Sequence, residues 1–78
     1  MESRKYIIKN DYFFYAITDE DNMDAHQHKT AIYLGKKGGG RLLYINGLDD
    51  LAAEAALADS LRRDDALFNN IVNIYEEA

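Results

Sequence analysis

The run Tyr12-Phe13-Phe14-Tyr15-Ala16-Ile17 is the longest unbroken stretch of apolar and aromatic side chains in the sequence. Aromatic and β-branched residues suit a pleated surface, and a continuous run of this length reads as a strand buried on both faces rather than an edge strand with one wet side. The expectation is that the other strands and both helical segments are laid against it.

The chain has 78 residues, which predicts one domain over 1–78; folding a chain of this size hides only roughly 60 to 65% of its unfolded surface. It contains no cysteine, so neither disulfides nor a zinc-thiolate centre can hold it together. No apolar run approaches the ~20 residues of a membrane span, and Met1-Glu2-Ser3-Arg4-Lys5 lacks the basic-then-apolar layout of a signal peptide. The expected location is therefore the cytoplasm. Charge is uneven within the total of −5: residues 1–46 hold seven Lys/Arg and six Asp/Glu, whereas residues 47–78 hold two Arg and eight Asp/Glu. A field of that sign repels nucleic acid and anionic membrane and favours basic partners.

In chain order, strands are expected at about 4–9, 12–18, 30–35 and 41–46. Asn10-Asp11 tolerates positive φ and should close a tight hairpin into the aromatic run. From Asp19 to His28 there is no apolar period and much acid, as in a solvated loop. The glycines of Gly38-Gly39-Gly40 supply left-handed backbone for a second hairpin. After Gly47 the period changes to 3.6, predicting helices at about 49–63 and 65–77, the first capped by Asp49 or a neighbour and the second by Asp64 or Asp65. Leu51, Ala55, Ala58 and Leu61, with Leu57 alongside, should form the buried stripe of the first helix. Six alanines from Ala52 to Ala66 raise its helix propensity and should let it sit close to its neighbour. Leu67, Phe68, Ile71, Val72, Ile74 and Tyr75 should form the buried face of the second. The fold class that follows is α+β, a four-stranded, mainly antiparallel sheet followed by two helices packed on one face.

Candidate chemistry is sparse. Asp24, His26 and His28 are metal-binding residue types, but no third ligand of defined spacing follows, and the reading is that no metal or other cofactor is required. Lys36, Lys37 and Arg41 at a glycine-rich tip could touch phosphate or an acidic patch, although a phosphate-binding loop would have to open a helix. Ser3 and Ser60 have no neighbouring base, and the expectation is that the chain is not an enzyme. Six tyrosines exceed what a core this small can take, so those left on the solvent side of the sheet should form an adhesive aromatic patch.

In size, acidity, lack of cysteine and lack of a catalytic constellation, the chain resembles the small inhibitors that bacteriophages encode against host defence, of the anti-CRISPR kind. That resemblance implies a cytoplasmic inhibitor that occludes a basic nucleic-acid-binding surface of a defence complex, with carboxylates standing where phosphates would bind. The residues expected to carry this are Asp19, Glu20, Asp21 and Asp24 in the loop, and Asp49, Asp50, Glu54, Asp59, Asp64 and Asp65 on or beside the helices. The expected partner is a basic protein, with no direct contact to nucleic acid or membrane. A homodimer that works as an antitoxin-like or adaptor subunit is the alternative, and a metal-dependent regulatory domain built on His26 and His28 is the third.

Overall fold

Two polar turns string the sheet together. Asn10 and Asp11 have φ of 53° and 67°, and the Tyr12 N–H donates to the Lys9 carbonyl at 2.9 Å, the paired positive φ that matches the natural twist of two hairpin strands. In the second turn Gly38 and Gly40 have φ of 78° and 75°, and the Lys37 N–H reaches the Asp11 carbonyl at 2.8 Å, so the two tips are tied to each other.

The computed structural model describes residues 2–18, 30–48 and 50–78. Four strands, β1 (Glu2–Ile7), β2 (Tyr12–Thr18), β3 (Thr30–Lys36) and β4 (Leu42–Leu48), precede two helices, α1 (Leu51–Arg63) and α2 (Asp65–Glu77). The strands pair antiparallel in the order β1-β2-β3-β4, the α+β architecture expected from the sequence. β1 stops at Ile7 rather than Lys9 because the turn consumes the next residues, and Ile8 folds into the core at 8% exposure. β4 continues past 46 because Thr30 and Ala31 still have Leu48 and Gly47 to pair with. Ile32 opposes Asn46 while Tyr33 opposes Tyr44, so Ile45 is an extra residue and β4 is bulged there.

The core lies on one face of the sheet. Phe14, Ala16, Ile32 and Leu34 from β2 and β3 are fully buried against Ala58 and Leu61 of α1 and Phe68 and Tyr75 of α2. Phe14 stacks on Tyr6 with ring centroids 4.7 Å apart, and Tyr12 meets Phe68 and Tyr75 edge-on at 5.8 and 5.7 Å. Burying each such side chain stabilises the fold by about 1.5 to 3 kcal/mol.

Asp50, in extended conformation, caps α1 by accepting from the Ala53 N–H at 2.7 Å. Asp64 ends one helix and starts the next: its N–H donates to the Ser60 carbonyl at 2.8 Å, and its carboxylate accepts from the Leu67 N–H at 3.1 Å. The inward stripe of α1 is Glu54, Leu57, Ala58 and Leu61. Leu51, at 52% exposure, and Ala55 are outside it, contrary to the hydropathy reading, which passed over a stripe that begins with a glutamate. Of the six alanines only Ala58 is fully buried, so the others support helix propensity rather than close packing. In α2 the residues at i, i+3, i+4 and i+7 from Phe68 turn inward, and Ile74 is left at 60% exposure. Neither helix is long and apolar enough to cross a membrane.

Candidate binding face

Successive strand residues point to opposite faces of a sheet, and both helices pack on the same side. In β2 the residues Tyr12, Phe14, Ala16 and Thr18 are buried, whereas Phe13, Tyr15 and Ile17 are only half-covered. The expectation that this strand is buried on both faces is corrected accordingly: β2 is central in the sheet, but among the described residues nothing is layered on its second face.

Register arranges that open face in transverse rows. Lys5, Tyr15, Tyr33 and Tyr44 are direct neighbours across all four strands, and Ile7, Phe13, Gly35 and Leu42 form the next row. Tyr44 is 58% exposed and Ile7 62%. The rings meet edge to face, Tyr33 with Tyr44 at 5.7 Å and 73°, and Phe13 with Tyr15 at 5.4 Å and 89°. A Cβ on Gly35 would stand 2.6 Å from Phe13 Cζ and 2.8 Å from Leu42 Cδ2. Glycine there lets the Phe13 ring cross the neighbouring strand. Lys5 Nζ sits 4.3 Å from the centre of that ring, close enough for a cation–π attraction. Of the six tyrosines, Tyr12 and Tyr75 are buried and Tyr6 is half-buried beneath the helices. The other three make the row on the open side.

Of the acids proposed from the sequence, those among the described residues are dispersed and engaged. Asp19, Glu20, Asp21, Asp24 and Asp49, like His26 and His28, lie outside the described residues. Asp50 and Asp64 cap helices. Asp59 pairs with Arg62 and Arg63 at 3.4 and 3.9 Å. Asp65 takes Lys9 Nζ at 2.6 Å, and that hydrogen bond holds its carboxyl below the usual range.

Glu54 is corrected outright as a partner-facing acid, since it has 0% exposure. Arg4 donates from Nε and Nη2 to its Oε1 and Oε2 at 2.9 and 2.8 Å, and the Tyr6 hydroxyl donates to Oε1 at 3.0 Å. Arg4 Nη2 also reaches Thr18 Oγ1 at 2.8 Å, which lies 2.7 Å from Thr30 Oγ1. A buried carboxylate is tolerated when its charge and lone pairs are met in this way. The hydrogen bond to Glu54 raises the Arg4 pKa, and burial together with the same carboxylate raises that of Tyr6.

The cations of the second hairpin divide by side. Arg41 bends under the sheet, donating to the Tyr75 and Ala78 carbonyls and lying over the Tyr75 ring. Lys36 lies 3.6 Å from Glu76. Glu76 also accepts from the Tyr12 hydroxyl. That bond and burial push the Tyr12 pKa up to about 12, and the Tyr12 hydrogen bond, with help from Lys36, lowers that of Glu76. Lys5 and Lys37 have no acidic partner within 4 Å among the described residues. Both border two shallow hollows, of about 540 and 400 Å³, that meet at Phe13.

Sequence reasoning named the hairpin-tip cations and the tyrosines, and it missed Lys5, Phe13 and Leu42. Plain alternation along β2 carries the signal for Phe13, but the surrounding apolar residues hide it. Among the described residues no three His, Cys, Asp or Glu side chains come together as a metal site. No protein family model matches the sequence, and no curated protein and no solved structure matches it either.

Proposed function

We propose that this chain is a non-catalytic protein-binding module that receives its partner on the open face of the sheet. The observation that carries the reading is the row of Tyr15, Tyr33 and Tyr44 in direct cross-strand register on the face that, among the described residues, neither helix covers. Tyrosine offers a large apolar surface and a polar tip at low entropic cost, which is why interfaces favour it. Strand spacing and rise give the face an edge of roughly 20 Å, about 400 Å² on this side, the size of a weak or transient protein contact. An inhibitor working through this face would act by steric cover and not by the carboxylate mimicry of phosphate expected from the sequence, and the described helix acids are poorly placed for that mimicry. Of those, Glu54 is enclosed, Asp50 and Asp64 serve as caps, and Asp59 and Asp65 have cationic partners. Covering the working surface of another protein requires a firm contact face and no reactive group.

The test uses three baits in the same native extract: the parent, Tyr33→Ser with Tyr44→Ser, and Asp59→Lys with Asp65→Lys. Quantitative mass spectrometry should find a prey retained by the parent and the helix variant and lost from the tyrosine variant. A prey lost only from the helix variant would move the contact to the acidic side and sink the proposal.

A further inference from the structure

The open face restricts the chemistry of whatever covers it. None of its strand side chains among the described residues is acidic; one described carboxylate, that of Asp11 in the first turn, lies on the rim of the smaller hollow. Lys5 stands in line with the tyrosine row and Lys37 at the corner where both hollows meet Phe13; Lys36 and Arg41 also line the larger hollow and Lys9 the smaller, but these three are engaged by Glu76, by the Tyr75 and Ala78 carbonyls and by Asp65. The cations of the covered side are already met, Arg4 by Glu54 and Lys9 by Asp65.

We infer that the surface that docks here is both apolar and acidic: a protein segment whose aromatic or aliphatic side chains lie on the tyrosine row while a carboxylate enters the corner between Lys5 and Lys37. This rests on the reading of the open face as the docking surface. Charge complementarity selects the occupant. A second copy packed face to face would bring two more cations to the contact and no strand-borne acid to meet them, a like-charge arrangement that costs affinity. Single-stranded nucleic acid needs ring planes free for successive bases. Here Phe13 and Tyr15 stand at 89°, Tyr33 and Tyr44 at 73°, and Lys5 covers the Phe13 ring. A single exposed ion pair contributes little on its own. Exchanging attraction for repulsion at two lysines should therefore change a dissociation constant by roughly tenfold.

The experiment titrates the isotope-labelled protein with a synthetic peptide of alternating glutamate and leucine or phenylalanine, with its lysine-for-glutamate counterpart, and with oligothymidylate, following backbone amide shifts. The acidic peptide should shift the amides of Phe13, Tyr15 and Tyr33 and bind roughly tenfold more tightly than the basic one. Lys5→Glu with Lys37→Glu should invert that order at an unchanged melting temperature. If both peptides shift the face with equal affinity, the face is a docking surface and the acidic-partner inference fails. Tighter binding of oligothymidylate, or closure of the face by dimerisation in sedimentation runs at increasing concentration, also overturns it. Shifts confined to the helices, or none with any probe, overturn this inference and the docking-face reading together.

Discussion

Phe13 and Phe14 are consecutive, chemically identical, and on opposite sides of the same sheet. Phe14 is fully enclosed, stacked on Tyr6, whereas Phe13 lies across Gly35 on the side away from α1 and α2. The covered face combines apolar packing with directional bonds, because the Arg4–Glu54–Tyr6 cluster fixes how α1 sits against β1. On the open face, ring edges and Lys5, which has no acidic partner among the described residues, present surface without tying distant parts of the chain together. Composition along β2 is nearly uniform. What separates a folding residue from a contacting one is parity along the strand.

The largest expected effect sharpens that contrast. Phe14→Ala should lower stability by about 3 to 5 kcal/mol, as for other large-to-small changes in a packed core, while Phe13→Ala should lose less than half as much; urea unfolding of the two variants reads both. Equal losses would mean that the open face is packed as well.

Next comes Glu54→Ala, which strands the Arg4 guanidinium in a largely enclosed site. Removing one partner of such a pair costs about 3 kcal/mol, toward the low end for buried pairs because Arg4 retains some contact with water. The double replacement Arg4→Met with Glu54→Leu should recover much of the loss, and a double that unfolds as readily as the single would show that packing, not charge, is at fault.

The covered face should also carry pH dependence. Asp65 and Glu76 have folded pKa values below their ordinary ones. Their contribution is therefore present above the usual carboxylate range and is lost as pH falls through the folded values. Tyr12 is raised from 10.0 to about 12, so its contribution is complete below the unfolded value and drains away between those two limits. Urea midpoints measured across pH should slope at both ends, and Tyr12→Phe should flatten the alkaline limb.

The smallest stability effect belongs to Tyr44→Ser, expected to change unfolding by under about 1 kcal/mol because its ring is mostly in water. Calorimetric melting alongside the capture assay checks it: a clear drop in melting temperature would assign Tyr44 to folding rather than contact.

Much of this architecture was legible beforehand because local signals agreed with one another. Asn10-Asp11 marked one turn, the glycine triplet another, and the acid at 64 the break between helices. The candidate site was legible only in part. Tyrosine count implied an aromatic surface, but which tyrosines share a side depends on cross-strand register, and that is a property of pairing rather than of any single strand. Glu54 was misread for a related reason: nothing within α1 reveals that Arg4, fifty positions earlier, lies above it. Net acidity pointed toward the helices as the interface, while caps and ion pairs occupy much of that charge.

The bulge at Ile45 bears on a different matter, the growth of the sheet itself. Among the described residues β1 and β4 are the edges of the sheet, and a long regular edge is a template for strands of other molecules. At β4 one extra residue interrupts the regular spacing of outward backbone groups and increases the local twist. Pairing by a foreign strand would have to break where the bulge lies. That keeps an exposed aromatic sheet from being extended into a fibre along this edge, and deleting Ile45 is the change that would lift the restraint.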